Sequence, residues 1–164
     1  MAPGDRQAAG HAEGNGLDTE RGVRLIRQSA QAGEREGMFV LANMLYSGQA
    51  VAENKPEGIR YAKLAADAEH GGALLMMARM TYFGDVGIPV NRAEAVRLAR
   101  RSAESGTAGG QLMYGQLLWT GDGVPTDRVA AVRLFQKAAA QGDEEAIKTM
   151  AETEVQDFLR TMKE

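Results

Sequence analysis

Cysteine is absent from the 164 residues. That excludes disulfides, thiol catalysis and Cys-ligated zinc, and it leaves the redox compartment open. Histidine is scarce: His11 and His70 are the only two, and neither has a second histidine or a cysteine placed to share a metal. No metal and no cofactor is therefore expected. Aromatic residues make up only 5%, so small side chains must carry most of the packing. No run of 18 apolar residues exists, so no segment is expected to span a membrane. Charge of one sign is also missing: 19 Lys and Arg against 22 Asp and Glu give a net charge of −3. With no block of like charge, nothing suggests a nucleic-acid or membrane-surface footprint.

The usual nucleophile arrangements are lacking too. Ser29, Ser47, Ser102 and Ser105 have no paired histidine, and the carboxylates are scattered along helix faces. Gly121-Asp122-Gly123 hints at a phosphate or calcium loop. It lacks the Gly-Lys-Ser/Thr of a P-loop and the ligand spacing of an EF-hand. No catalytic residue is assigned, and the chain is not expected to be an enzyme. The stretch from Met1 to Gly16 lacks the apolar core of a signal peptide. Rich in Gly and Ala, it is expected to be a disordered leader of residues 1–16, with the folded domain over residues 17–164. As it stands the chain is expected in the cytoplasm, or in the periplasm if a signal peptide was removed from it.

Glycine, in contrast, is abundant at 20 residues, about twice its usual share of ~7%. An internal repeat explains the excess. Asp18, Asn54, Asn91 and Asp127 form one column with steps of 36, 37 and 36 residues. Ala30, Ala66, Ala103 and Ala139 form a second with the same steps, Gly48, Gly84 and Gly121 a third, and Ala42, Ala78, Gly115 and Ala151 a fourth. The extra residue falls in the turn from Gly84 to Pro89, near Val86. Such periods mark arrays of stacked supersecondary units.

Each unit contains two helical patterns. First helices are expected over Glu36 to Ser47, Gly72 to Phe83, Gly109 to Thr120 and Glu144 to about Met162. Second helices are expected over Asp18 to Ala32, Asn54 to Glu69, Asn91 to Ser105 and Asp127 to Gln141. The second helices are apolar at helical spacing, as in Ala131, Leu134, Phe135 and Ala138. The Asp/Asn column supplies N-caps, and Glu57 and Glu94 complete capping boxes with Asn54 and Asn91. Gly33, Gly106 and Gly142 close helices. The alanine column at Ala139 predicts close helix approach. His70 is expected near a helix C-terminus, in solvent. Arg92, Arg97, Arg100 and Arg101 read as a solvated basic face, with docking of an acidic partner as the alternative.

The segment Gly121 to Gly142 resembles the Sel1-like repeat family, helix-turn-helix relatives of tetratricopeptide repeats. It carries a turn of Gly-x-Gly-Val, an Asp, spaced alanines, an Ala-Ala pair and a closing glycine. Gly84 to Gly106 match with one insertion and Asn91 for Asp. Gly48 to Glu69 match more loosely, with Ala50 and Glu69 where glycine is usual. The resemblance covers roughly residues 14 to 155. It implies an all-α, right-handed α-solenoid of about three to four helix-turn-helix repeats with a C-terminal capping helix, Glu144 to Lys163. It also implies an adaptor for another protein or peptide, often bacterial. The absence of cysteine separates this chain from the disulfide-rich members. A sharper variant of the adaptor is a bacterial immunity or inhibitor protein that neutralises a secreted toxin or effector; the rival class is an enzyme or sugar-binding scaffold, for example in envelope polysaccharide assembly. End-to-end self-association stays open.

In a solenoid of this type first helices line the concave face. Counting from the packing column gives an expected partner-binding surface of Phe39, Asn43 and Tyr46, then Leu75, Arg79 and Tyr82, then Leu112, Gln116 and Trp119. Three successive units would thus present an apolar, a polar and an aromatic side chain. Tyr46, Tyr82 and Trp119 are expected to be partly exposed, because Leu41, Leu45, Met77, Thr81, Tyr114 and Leu118 already supply the core. Exposed aromatic rows mark interaction surfaces, and Met38, Met44, Met76, Met77, Met80 and Met113 are expected to fill the core.

Overall fold

The computed structural model of the chain describes residues 7–162. They form helices α1 (Gln7–Gln31), α2 (Arg35–Ser47), α3 (Lys55–Asp67), α4 (Gly71–Phe83), α5 (Arg92–Glu104), α6 (Ala108–Thr120), α7 (Arg128–Ala140), α8 (Glu144–Ala151) and α9 (Thr153–Thr161). No strand occurs among the described residues, only an isolated bridge between Asp85 and Ile88. The all-α class expected from the repeat is therefore the class observed. Two compact units divide between Leu64 and Ala65, within α3. In the first, α1 packs on α2; in the second, α4 to α8 pack in chain order and α4 also meets α6.

Each of α2 to α7 has 13 residues, because the same two closures recur. Within a hairpin, the backbone N–H of the capping residue donates back to the first helix. Asn54 donates to Leu45 O at 2.7 Å, Asn91 to Thr81 O at 2.9 Å and Asp127 to Leu118 O at 2.9 Å. The same residues cap the second helix through their side chains: Asn54 Oδ1 accepts from Glu57 N at 3.2 Å, Asn91 Oδ1 from Glu94 N at 3.0 Å and Asp127 Oδ1 from Ala130 N at 2.9 Å. Asn54 Nδ2 donates to Glu57 Oε2 at 3.0 Å. One residue thus satisfies both the outgoing and the incoming helix end. The extra residue of the second hairpin sits where expected: Asp85 and Ile88 exchange two 2.9 Å backbone bonds around Val86 and Gly87.

Between hairpins, the N–H of Glu34, His70, Thr107 and Asp143 donates to the carbonyl of Ser29, Ala65, Ser102 and Ala138, at 3.1, 2.9, 3.3 and 3.2 Å. This is a Schellman closure, which puts the preceding residue in the left-handed region. Gly33, Gly106 and Gly142 fill that position at φ 81, 86 and 84°, and Glu69 fills it without being glycine at φ 58°. Ala50 is the other non-glycine there, at φ 60°. The two departures from family glycine noted in the sequence therefore keep the glycine conformation.

The carbonyl column of that closure also sets the helix spacing. Ser102 is fully buried, and its Oγ donates to Gly71 O at 2.8 Å. A Cβ placed on Gly110 would lie 2.2 Å from Ser102 Oγ, and one on Gly37 would lie 2.1 Å from Ser29 Oγ. The two other closures carry alanine on both sides, Ala65 with Ala73 and Ala138 with Ala146, all fully buried. So serine faces glycine and alanine faces alanine: each junction holds the same two side-chain heavy atoms.

Four expectations are corrected. The first helix begins at Gln7, not Asp18; no proline stands between these residues to bar it, so Asp18 lies inside the helix and caps nothing. The tightest alanine contact is one residue earlier than Ala139: Ala138 is fully buried, whereas Ala139 is only partly so. Ala30, Ala66 and Ala103 are buried as well, and only the contact with the following helix tells the two small-residue columns apart. His70 is not at a helix C-terminus: Glu69 closes α3, and His70 Nδ1 accepts from Ala73 N at 3.2 Å as the N-cap of α4. Finally, the C-terminal cap is two helices. Glu152 is extended (φ −62°, ψ 142°) between α8 and α9. A straight helix would carry Phe158 about 10 Å beyond Ala151 along its axis. The break instead brings the Phe158 ring to 5.6 Å from Trp119 and buries Val155.

Two stability predictions follow from these closures. Gly→Ala within a helix normally stabilises by about 1 kcal/mol; Gly110→Ala should destabilise by about 1–3 kcal/mol through overpacking. In a Ser102→Ala background the penalty should fall by at least about 0.5 kcal/mol in a denaturant double-mutant cycle. Equal penalties in both backgrounds would break the pairing. Ala50→Gly should raise stability by about 0.5–1 kcal/mol, since a left-handed L-residue costs about 1–2 kcal/mol and glycine's extra entropy offsets part of the gain.

Candidate partner-binding groove

The aromatic column is covered on one side by a cation column that the sequence reading missed. Lys55 Nζ lies 5.4 Å from the Tyr46 ring centre, Arg92 Cζ 3.6 Å from that of Tyr82 and Arg128 Cζ 4.9 Å from that of Trp119. Each cation is the residue directly after the capping Asn or Asp. The signal was present: Lys55, Arg92 and Arg128 share the repeat's own spacing. Cation–π contacts of this kind contribute roughly 0.5–1 kcal/mol when exposed.

Tyr82 is tied to the next turn as well. Its Oη donates to Asp122 Oδ2 at 2.5 Å. Arg92 Nη1 donates to Tyr82 O at 3.0 Å, and its Nε lies 3.8 Å from Asp122 Oδ1. A Cβ on Gly123 would lie 3.0 Å from the Arg92 Cβ and 3.1 Å from its carbonyl oxygen. The Gly121-Asp122-Gly123 turn is therefore a docking piece for the preceding hairpin, which accounts for its glycines without a phosphate or calcium. The hydrogen bond to Asp122 raises the Tyr82 pKa above its ordinary value; desolvation and the Asp122 charge add to this, and Arg92 opposes it.

Against this side of the second compact unit lies an open depression of about 430 Å³ lined by Arg79, Tyr82, Phe83, Gly109, Leu112, Met113, Gln116, Leu117 and Thr120. The structure thus brings together Arg79, Tyr82, Leu112 and Gln116 of the expected surface. Leu112 forms the floor and is only 6% exposed, so it belongs to the core more than to the face; a tight α4–α6 approach at Gly109 sinks it. Leu75 is half-buried, and its Cδ2 would be 2.7 Å from a Cβ on Gly109. Arg79 and Gln116 are exposed.

Phe83, which sequence reasoning treated as a helix end, is 74% exposed and stands edge-on to Tyr82 at 4.8 Å. No repeat signal could have found it, because Ser47 and Thr120 occupy its column. Trp119 is half-buried, 6.3 Å from the Phe135 ring, and lines a second depression. Phe39 and Tyr46 are half-buried and Asn43 is exposed, all in the other compact unit.

The basic cluster is internally neutralised. Arg97 pairs with Glu94 at 2.7 Å, Arg100 with Glu104 at 2.8 Å, Arg101 with Glu69, and Arg92 with Asp122. No group of three metal-ligating side chains exists among the described residues. No described helix is long and apolar enough to cross a membrane.

A repeated helical hairpin with an apolar depression on its first-helix side defines a repeat scaffold. The Sel1 repeat family model matches three times, at residues 35–70, 72–107 and 108–143, and the chain belongs to that family. Among solved structures it is similar to a Sel1 repeat protein of Oxalobacter formigenes, with 29% identity and a TM-score of 0.73 over 84% of this chain and 98% of that one. It is also similar to a protective antigen of uropathogenic Escherichia coli strains displaying an SLR fold, with 30% identity and a TM-score of 0.66 over 74% of this chain and 26% of the antigen. A curated relative is the chitin synthase regulator SKT5 of Malassezia restricta, 27% identical over 79% of this chain. The chain spans only 9% of that regulator's length.

The bond from Tyr82 to Asp122 predicts a pH signature. Because the folded protein holds the neutral phenol, its contribution is complete below the unfolded value of about 10 and is lost as pH rises through the higher folded value. An ultraviolet difference titration of wild type against Tyr82→Phe should show the Tyr82 phenolate forming above pH ~10. Asp122→Asn should lower that midpoint. A midpoint unmoved by Asp122→Asn would remove Asp122 as the cause.

Proposed function

We propose that the chain is a non-catalytic scaffold that holds a helical or extended segment of a partner protein in the α4–α6 groove. Proteins of this family are generally protein-interaction scaffolds. The observation that carries the finer reading is the exposed Phe83 ring beside a depression floored by Leu112, Met113 and Leu117. Ordinary hairpin closure does not require an aromatic there, since Ser47 and Thr120 end the equivalent helices. Large exposed aromatics next to apolar pockets are what protein interfaces concentrate in their hot spots. Arg79 and Gln116 at the rim would orient the segment. The immunity and envelope-scaffold alternatives would use this same surface.

Trp119 is a poor probe, since its truncation would also open the cluster of Phe135 and Phe158. Phe83 is a better one. With a photo-crosslinking amino acid placed at Gln116 or Arg79 in cells of the native host, one protein partner should crosslink. The same group placed at the exposed Arg133 on α7 should capture no such partner. Phe83→Ala should weaken binding of that partner by about thirtyfold, the equivalent of a ~2 kcal/mol hot spot. Crosslinking from Arg133 alone, or from none of these positions, would overturn the reading.

A further inference from the structure

The second depression, of about 320 Å³, lies between α6, α8 and the start of α9, lined by Gln116, Trp119, Thr120, Phe135, Glu145, Thr149, Glu152 and Val155. We infer that it is a subsite for the cationic end of a lysine or arginine side chain supplied by the partner.

Three features point to a cation. Glu145 and Glu152 stand exposed on the α8–α9 side of the rim. Only Lys148 answers Glu145, at 3.8 Å and on the surface, where such a pair contributes little. Thr149 is 7% exposed and lines the pocket; its hydroxyl forms no hydrogen bond among the described residues and is not sealed from solvent. A hydroxyl that no protein group occupies can pair with an entering donor without breaking a bond inside the fold. Its oxygen, the Gln116 amide oxygen and two carboxylates are acceptors that suit the three donors of an ammonium or the fork of a guanidinium. The apolar wall of Trp119, Phe135 and Val155 suits the methylene stem of the same side chain.

The geometry is built by the break at Glu152. Were α8 and α9 one straight helix, Glu152 and Val155 would not turn back to wall the pocket. The site also adjoins the proposed groove, since Gln116 and Thr120 line both depressions. This assignment rests on the proposed groove for its biological occupant, but its chemistry can be tested without any partner.

The test is a nitrogen-15 NMR titration of the full chain with N-acetyl-lysine methylamide, with the arginine analogue, and with N-acetyl-norleucine methylamide as the uncharged control. Saturable shifts are expected at the Thr149 and Glu152 amides and the Trp119 indole N–H, for the two cationic probes and not for norleucine. The apparent affinity should fall at least tenfold in the Glu145→Gln/Glu152→Gln double variant, whose exposed sites leave folding intact. It should fall severalfold in Thr149→Val, which keeps the shape and removes the hydroxyl. Equal shifts with norleucine, no localised shifts, or wild-type affinity in either variant would overturn the subsite. Those outcomes are separate from the crosslinking result: cation binding with no crosslink at either Gln116 or Arg79 would sink the groove alone, and the converse would sink the subsite alone.

Discussion

The structure depends on one steric constraint, the contact where each second helix hands over to the next first helix. A Schellman closure fixes the path of the backbone there, and the helices then approach until side chains stop them. Two heavy atoms are all the junction holds, as serine against glycine or as alanine against alanine. A third atom would push the hairpins apart, and one fewer would leave a void in a dense interior. The turns stack by the same rule: a Cβ on Gly71 would fall 2.0 Å from Thr107 Oγ1 and 2.2 Å from Ser105 Oγ. Spacing between helices is thus set by local backbone chemistry and small atoms, which explains how a chain so poor in aromatics builds a regular core.

Where the interior does use a large ring, the partner position shrinks to receive it. Phe135 occupies a column that Ala62 and Ala99 fill elsewhere, and Gly115 faces it where Ala42 and Ala78 stand in the other hairpins. A Cβ on Gly115 would be 2.6 Å from the Phe135 ring. This exchange occurs in the last full hairpin, next to α8 and α9. There Phe135, Trp119, Val155 and Phe158 gather, so the larger side chains cluster where α8 and α9 pack on that hairpin. Helices α8 and α9 thereby cover apolar surface that the hairpin of α6 and α7 would otherwise expose.

Much of this was legible in the sequence because repetition multiplies weak signals. No single Asn or Gly identifies a cap, but Asn54, Asn91 and Asp127 at one spacing do, and all three cap as expected. The paired helices, the inserted turn residue near Val86 and the left-handed closing positions followed from the same columns. What escaped falls into two kinds. Contacts between columns were hidden, such as Arg92 over Tyr82 or Ser102 against Gly110, because periodicity aligns residues without saying which columns touch. Features outside the period were hidden as well: the start of α1, the break at Glu152 and the exposure of Phe83. Leu112 shows the intermediate case, placed on the correct helix and near the correct groove but one layer too deep.

That division also bears on where a partner would be recognised. The repeated aromatics Tyr46, Tyr82 and Trp119 each carry a cation from their own hairpin on one face, and Tyr82 also spends its hydroxyl on Asp122 of the next turn, so part of their surface is already used inside the fold. A surface made only of such columns would look alike at every repeat and would fix no register for a bound segment. Register must come from residues that break the pattern. On the second compact unit those are Phe83 where serine and threonine stand elsewhere, Arg79 where Asn43 and Gln116 stand, and the acidic wall raised by the kink at Glu152. An apolar anchor, a guanidinium and a carboxylate pair at distinct places would discriminate one segment from its shifted copies, since every misplacement would leave a charge unpaired or a ring in water. In the proposed reading, the repeats supply the frame and the departures from repetition would give it selectivity.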